Sequence, residues 1–475
     1  MHAQRHKRDE LTLDRSGTQL VPDSESMSSV DLAWLTMDRP CNPMVVAAVL
    51  QLDPVRSLPR LIDTLATRLH GHPRFRQYAD DGCQPAVWVD DTNFERAYHF
   101  QIRRSSAPID DAALRVMIAR ELSRELDRSR PLWQLSLFRQ SRRRVALLFR
   151  AHHAMADGVS LMQLLLKLAD GAGDGQAASA PQAHHATRTR RGPLAFAIHG
   201  LESLDAGWSA IQARLARARE QPADAIRDLA LFAAGTASTL RVLSLRDRTP
   251  APFRQALCGD RRIDWSAPLS LEPLHRLAHR HGVSLNDLFL SALAGAFGRY
   301  LRAAGPVARR AILRVSIPVD LRSPADGDFG NCFGLVLFDL PVGEQCALRR
   351  LALVGRQMRK LKHSQQARAM LMSLRALGHL PVFVEKMLVE RVAGKAAAVV
   401  SNLRGPDDEL VFAGAGLKSV VFWPPQTGEV GIGVSMLSYT GQVTIGLCCD
   451  SAVLAEPHRV IAAFQAEIDE LLAAG

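Results

Sequence analysis

The segment at positions 150–160, Arg-Ala-His-His-Ala-Met-Ala-Asp-Gly-Val-Ser, contains residue types that are well suited to catalysis. His152 and His153 end an apolar stretch, and Asp157 and Gly158 precede a run with helical spacing. A histidine held between a strand and a helix can act as a general base near neutral pH. Because neighbouring residues of an extended strand point to opposite faces, we expect one histidine to face the chemistry and the other to pack or brace.

Asp157 and Gly158 are open to two interpretations. In the functional one, the three-residue loop brings Asp157 close to His153 or to an arginine. Gly158, which has no side chain, then leaves room for a substrate to approach. In the structural one, backbone carbonyls satisfy a buried histidine pair and Asp157 only caps the next helix. The chain also contains His184-His185, which has neither a preceding strand nor a following aspartate and is typical of surface sequence.

A hairpin and a helix are predicted to position the segment. Apolar residues alternate with polar ones from Trp133 to Leu137, a charged turn follows at 141–144, and an apolar strand occupies 145–151. After the loop, leucines recur at 161, 164, 165 and 168, as on one face of a helix.

The whole chain predicts an α/β fold of the two-layer α+β kind, with two halves joined by a helical crossover. Beyond the hairpin, helical stripes or strand patterns occur at 58–69, 114–126, 269–281, 286–303, 311–318, 333–340, 396–401 and 431–449. The predicted divisions are a flexible basic lead (1–26), an N-terminal half (27–170), a linker and helical crossover (171–255) and a C-terminal half (256–475).

Composition excludes several classes of protein. The chain has 475 residues, 47% of them apolar and 23% charged, which is typical of a globular protein. No apolar run reaches the ~20 residues that span a bilayer, and the N-terminus has no signal-peptide pattern, so we expect a cytoplasmic protein. The seven cysteines lack metal-ligand spacing, so no metal site is expected. The net charge of +11 suggests an anionic partner, but no nucleic-acid-binding motif accompanies it.

The His-His-x-x-x-Asp-Gly segment resembles the active-site motif of the bacterial wax ester synthase/acyl-CoA:diacylglycerol acyltransferase family. Other blocks similar to those of this family follow in family order from about 27 to 470. They are 27–31, Pro43-Met44, Pro131-Leu132-Trp133, Asn286-Asp287, 318–322, 330–334, 401–406 and 437–441. Two departures that could alter substrate choice are Leu403-Arg404, in place of the more usual apolar-Pro pair, and Asp320, in place of a small polar residue.

This resemblance implies a fold similar to chloramphenicol acetyltransferase, with an active-site tunnel between two halves. It implies that His153 is the general base that activates an alcohol for direct attack on the acyl-CoA thioester, without an acyl-enzyme. It also implies that Asp157 pairs with an arginine and braces the loop, and Arg322 is the candidate partner. The implied substrates are fatty acyl-CoA, as co-substrate, and either diacylglycerol or a long-chain alcohol, and no cofactor is expected.

The remaining blocks supply candidate supporting residues, namely Pro131, Leu132, Trp133, Asn286 and Asp287. Asn286 is a candidate oxyanion donor, although an asparagine at a helix start more often satisfies backbone groups.

Two other functions stay open at this point. Condensation domains of peptide synthetases carry the same motif, but this chain has no room for the carrier and adenylation domains that usually accompany them. A catalytically inactive protein of the lipid-droplet surface is the second alternative.

Contact with a membrane is also an open question. Arginine clusters at 142–144, 188–191 and 356–368 are either solvated surface or contacts to anionic headgroups. The leucine-rich stripe at 194–215 either packs on the protein or lies on a membrane. We expect peripheral association with the inner membrane face or with lipid inclusions.

Overall fold

The structure is a computed structural model that describes residues 24–82, 86–105, 109–171, 249–320, 333–362 and 394–474. Within these ranges the α-helices are α1 (Ser29–Thr36), α2 (Leu58–His70), α3 (Arg96–His99), α4 (Asp111–Leu122), α5 (Gly158–Lys167), α6 (Leu271–Arg280), α7 (Leu285–Ala304), α8 (Ala347–Lys362) and α9 (Pro457–Ala474). The strands are β1 (Ser24–Ser26), β2 (Val45–Leu52), β3 (Gln77–Asp80), β4 (Val87–Asp90), β5 (Phe100–Arg103), β6 (Trp133–Arg139), β7 (Val145–His152), β8 (Arg261–Trp265), β9 (Leu269–Ser270), β10 (Leu313–Asp320), β11 (Phe333–Leu340), β12 (Ala398–Arg404), β13 (Val411–Phe412), β14 (Ala415–Trp423), β15 (Ile432–Tyr439) and β16 (Gln442–Asp450).

A six-stranded sheet with the order β13-β14-β2-β7-β6-β5 forms the N-terminal layer. β6 and β7 pair antiparallel, which confirms the hairpin predicted from the period-two alternation. β2 pairs antiparallel with β7 along its whole length, from Val45 opposite His152 to Leu52 opposite Val145. The end of β7 that carries the histidines therefore lies beside the start of β2.

A second sheet with the order β11-β10-β12-β15-β16-β8, to which β9 adds at β16, forms the C-terminal layer. The long helix α7 is buried among α8, α9 and this sheet. The β15–β16 hairpin turns at Thr440-Gly441, as predicted from Tyr439-Thr440-Gly441. Both residues have positive φ, 47° and 72°, and the left-handed conformation is one that glycine adopts readily.

The two layers share strands across the predicted division of the chain. β13 and β14 come from the C-terminal half in sequence, yet β14 pairs with β2 and completes the N-terminal sheet. Val420 and Phe422 of β14 join the N-terminal hydrophobic core. Residues 411–423 thus belong to the predicted C-terminal half in sequence and to the N-terminal sheet in space, and strand periodicity alone does not identify the partner of a strand.

The N-terminal boundary also differs from the prediction. Ser24–Ser26, the last residues of the predicted flexible lead, form β1, which pairs antiparallel with β4 in a small sheet of order β1-β4-β3. Residues 1–23 lie outside the described ranges, as do most of the predicted linker and crossover and the whole stripe at 194–215.

Candidate active site

Backbone hydrogen bonds fix the loop after β7 on both sides. The His152 amide donates to the Leu132 carbonyl at 2.9 Å, and the His153 amide donates to the Met44 carbonyl at 2.7 Å. The Met155 amide closes the loop on the His152 carbonyl at 3.0 Å. The loop is therefore attached to the residues that flank the starts of β6 and β2.

His153 faces a cavity between the two layers. Its side chain is buried, with 5% exposure, and its ring centroid lies 4.7 Å from that of Trp34. The cavity has a volume of about 120 Å³. Its lining comes from both halves and includes Trp34, Val46, His153, Asp157 and Gly158 on one side and Ser316, Leu337, Ser401, Asn402, Leu403 and Val430 on the other.

His152 points away from this cavity and is 2% exposed. Its Nδ1 accepts a hydrogen bond from the Ala154 amide at 3.1 Å, and its Nε2 lies 3.5 Å from Oδ2 of Asp38. Of the two histidines, only His153 is among the residues that line the cavity.

Asp157 is the N-cap of α5, where its Oδ1 accepts from the Ser160 amide at 2.8 Å. The carboxylate is buried and also lines the cavity, so capping and proximity to His153 occur together. Arg322, the candidate partner, lies outside the described residues.

A second, almost wholly apolar cavity of about 60 Å³ lies between the N-terminal sheet and α5. It shares the lining residues Val46, Gly158, Leu403 and Phe422 with the first cavity. A Cβ atom added to Gly158 would lie 3.5 Å from Cδ1 of Leu403. Gly158 and Leu403, one of the departures from the family pattern, thus face each other where the cavities adjoin.

Pro131, Leu132 and Trp133 do not line either cavity. Trp133 is buried in the N-terminal core, where its indole donates to the Phe75 carbonyl and its ring stacks on His99 with centroids 4.4 Å apart. Burial lowers the pKa of His99 to about 4, with a smaller opposing effect from its hydrogen bond to the Trp133 carbonyl. This block holds β6 in place, and Leu132 then anchors His152.

Asn286 and Asp287 lie at the start of α7. Asp287 forms a capping box with Ser284, in which each side chain accepts from the backbone amide of the other residue. Oδ1 of Asn286 accepts from Nδ2 of Asn402 at 3.4 Å, and Asn402 lines the cavity. Asn286 itself is not among the lining residues, so it contacts the site through Asn402.

Sequence reasoning missed Asp38, which follows α1. Its Oδ1 accepts from the Met44 amide at 2.7 Å, and Oδ2 lies 3.2 Å from Nη2 of Arg128 and 3.5 Å from Nε2 of His152. Burial acts to raise the pKa of Asp38, but His152, the Met44 amide and Arg128 outweigh it, so the pKa lies below its ordinary value. A single aspartate in a loop has no spacing pattern that marks it.

The wall opposite His153 was also missed. Pro424, Pro425, Thr427 and Val430 line the cavity in the segment 424–430, which joins β14 of one sheet to β15 of the other. A buried polar network holds this segment. Arg261 donates to Oδ1 of Asn42 at 2.5 Å and to Oε1 of Gln426, while Asn42 donates to the carbonyls of Gly428 and Val430 at 2.9 and 3.2 Å.

Family models match most of the chain. The wax ester synthase/diacylglycerol acyltransferase catalytic domain matches residues 27–289, and the C-terminal domain of the same family matches residues 329–472.

Curated relatives support the same family. A putative diacylglycerol O-acyltransferase of Mycobacterium tuberculosis is 27% identical over 94% of this chain and 90% of its own length. A probable diacylglycerol O-acyltransferase of the same organism is 25% identical over 94% of this chain and 96% of its own.

Solved structures share the fold. The wax ester synthase/diacylglycerol acyltransferase of Marinobacter aquaeolei covers 94% of this chain and 98% of its own, with a TM-score of 0.64 and 20% identity. The match to the first condensation domain of the CDA synthetase covers 94% of this chain and 97% of that domain, with a TM-score of 0.56 and 16% identity. The chain belongs to the wax ester synthase/diacylglycerol acyltransferase family and is an acyltransferase.

Proposed function

We propose that this acyltransferase moves a fatty acyl group from acyl-CoA to the hydroxyl of diacylglycerol or of a long-chain alcohol, with His153 as the general base. The observation that carries the proposal is the position of His153, buried at a cavity between the two layers that adjoins a second, apolar cavity. A buried imidazole beside apolar space suits a reaction between two lipids.

In the proposed reaction, His153 accepts the proton of the acceptor hydroxyl as the oxygen attacks the thioester carbonyl. The tetrahedral oxyanion then collapses, the carbon–sulfur bond breaks, and the proton passes to the CoA thiolate. Burial of the site limits competing attack by water. Asp157 caps α5 and so fixes the end of the loop that carries His153.

The apolar cavity supports a lipid substrate. Leu135, Leu147, Phe149, Leu161 and Leu165 are among its lining residues, and its surface is nearly free of polar atoms. An alkyl chain buried there gains about 0.8 kcal/mol for each methylene group. A peptidyl substrate of a condensation reaction would leave its amides without hydrogen-bond partners in the same space, so the lining favours an alkyl chain over a peptide.

A direct assay tests the proposal. Purified protein receives labelled palmitoyl-CoA with either hexadecanol or dioleoylglycerol, and the neutral lipids are separated. Wax ester or triacylglycerol should form, disappear in His153→Ala and persist in the matched control His185→Ala. Thiol release without either lipid, or full activity of His153→Ala, would contradict the proposal and favour the alternatives.

Peripheral contact with anionic lipid is a separate part of the proposal. Among the described helices, none is both long enough and apolar enough to cross a bilayer. Four exposed arginines, Arg56, Arg139, Arg142 and Arg143, line an open surface depression at the end of the N-terminal sheet. Each basic residue near an anionic surface contributes about 1 kcal/mol.

Vesicle sedimentation tests this contact. Binding to vesicles with anionic lipid should weaken in Arg142→Gln/Arg143→Gln and with rising salt. The control Arg404→Gln/Arg459→Gln removes the same charge from surface pairs with Asp407 and Glu456 and should bind normally. Equal binding of both double variants would contradict the role of this cluster.

A further inference from the structure

Asp38 connects the loop of the two histidines to the rest of the N-terminal layer through both of its carboxylate oxygens. Oδ1 accepts from the Met44 amide, and the Met44 carbonyl in turn accepts from the His153 amide. Oδ2 faces Nε2 of His152 and Nη2 of Arg128. One carboxylate therefore reaches both histidines, one through a side chain and the other through a single intervening residue.

The contact of His152 with Ala154 determines which nitrogen of His152 carries the proton. Nδ1 accepts from the Ala154 amide, so its lone pair is in use and a neutral ring carries its proton on Nε2. That nitrogen lies 3.5 Å from Oδ2 of Asp38, a close polar contact without the geometry of a hydrogen bond. His152 therefore contacts the Ala154 amide within the loop and the Asp38 carboxylate outside it.

We propose that Asp38 is a positioning residue for the acyl transfer, which acts through His152 and the Met44 amide to hold the His153 loop in its reactive orientation. This inference rests on the proposed function, since it assigns a role to Asp38 only if His153 performs the chemistry. Arg128 supports the arrangement because it also donates to the Leu35 carbonyl at 2.8 Å, which ties the carboxylate to the end of α1.

A carboxylate fits this position because N–H groups approach both of its oxygens, and the neutral side chain of the same shape has only one acceptor oxygen. The Met44 amide donates to Oδ1 of Asp38, Nη2 of Arg128 donates to Oδ2, and Nε2 of His152 lies 3.5 Å from Oδ2. Asparagine has one acceptor oxygen and adds an amide donor, so Asp38→Asn must place N–H against N–H on one side whichever way the amide turns. The expected result is a displaced loop in a folded protein.

Steady-state kinetics of palmitoyl transfer test the role of Asp38. Asp38→Asn should lower kcat roughly 10–100-fold with KM changed less than about 3-fold, because loop orientation affects the transition state more than substrate binding. The matched control Asp63→Asn removes a carboxylate from an exposed pair with Arg96 and should keep wild-type kcat. Wild-type kcat in Asp38→Asn would overturn the inference, as would an equal loss in Asp63→Asn.

Variants of His152 test the same contact even if Asp38→Asn does not fold. Glutamine at this position carries an amide donor about where Nε2 lies, whereas asparagine carries an acceptor about where Nδ1 lies. If the contact with Asp38 matters, His152→Gln retains more kcat than His152→Asn. Where Asp38→Asn folds, it lowers kcat by a larger factor in the first background than in the second, in which only the Met44 contact remains to be lost. The reverse order, or additive losses in both backgrounds, would overturn the inference.

Failure of the proposed function gives a different result. If His153 is not the base, His153→Ala stays active whatever the Asp38 variants do. If only the inference about Asp38 fails, His153→Ala is inactive while Asp38→Asn behaves as wild type.

Discussion

The two walls of the cavity are held by different means. On the side of His153, backbone hydrogen bonds to Leu132 and Met44 fix the loop, and titratable side chains line or brace it. On the opposite side, Pro424, Pro425, Thr427 and Val430 line the cavity, and amide side chains with the buried Arg261 hold their segment. The comparison suggests that the first wall sets the rate of the reaction and the second sets the space available to the substrates.

Removing the base gives the largest effect expected. His153→Gln should lower kcat by about 10²–10⁴-fold, the usual contribution of a general base, with little change in KM. Initial rates of neutral-lipid formation measure the effect. A large rise in KM with unchanged kcat would instead place His153 in substrate binding and remove the distinction between the walls.

Removing Arg261 should affect the second wall. Arg261→Met leaves the side-chain oxygens of Asn42 and Gln426 buried without their donor, at a cost of roughly 2–5 kcal/mol in the free energy of unfolding. The folded fraction should show a raised KM and a kcat near wild type, because segment 424–430 shifts while the His153 loop does not. Urea unfolding and steady-state kinetics measure both, and a fall in kcat alone would contradict the division of roles.

The packing of His99 on Trp133, which holds β6 behind the His153 loop, should make the stability of the protein sensitive to acid. His99 is buried against Trp133 with a pKa of about 4, below its ordinary 6.5, so the folded state resists protonation. As pH falls from about 6.5 to 4, the unfolded chain binds a proton that the folded protein does not, and stability declines by about 3 kcal/mol. His99→Asn keeps a donor for the Trp133 carbonyl and should lose this part of the decline.

Urea midpoints at pH 7 and pH 4 compare the two proteins. An identical acid-induced loss in wild type and His99→Asn would show that the first wall does not depend on this buried imidazole.

The smallest effect is expected where the walls meet. In Gly158→Ala the new methyl group contacts Leu403 between the two cavities, so activity with long acyl chains should fall several-fold more than activity with short ones. Because the contact is 3.5 Å, an ordinary van der Waals distance, stability should stay near wild type. Leu403→Ala combined with Gly158→Ala should restore activity with long acyl chains. An unchanged chain-length preference in Gly158→Ala would show that acyl chains do not pass between Gly158 and Leu403.

The sequence predicts local elements and the chemical motif well. Alternation from Trp133 to Leu137 is enough to identify the hairpin, and leucine spacing after Gly158 identifies α5, because both patterns are local signals of side-chain period. The polar residues of the alternation, Gln134 and Ser136, are nevertheless buried as well. Strand alternation predicted that His152 and His153 face different sides, but β7 ends at His152, so the turn that begins at His153 also determines its orientation.

Long-range contacts could not be predicted in this way. Neither Asp38 nor Arg261 has neighbours at a diagnostic spacing, because their partners come from distant parts of the chain, such as His152 for the first and Gln426 for the second. The pairing of β14 with β2 was missed for the same reason, since a strand pattern contains no information about its partner. The roles predicted for Arg322 and for the stripe at 194–215 stay predictions, because those residues lie outside the described ranges.

The position of β14 has a consequence for synthesis on the ribosome. β2 is complete once residue 52 has emerged, but the strand that covers its edge follows more than 350 residues later. At 5–20 residues per second, the Val-rich edge of β2 stays open for roughly 20–70 s. An open edge of this kind is a template for pairing with other chains, so the nascent protein is expected to depend on chaperones until residues 411–423 are made.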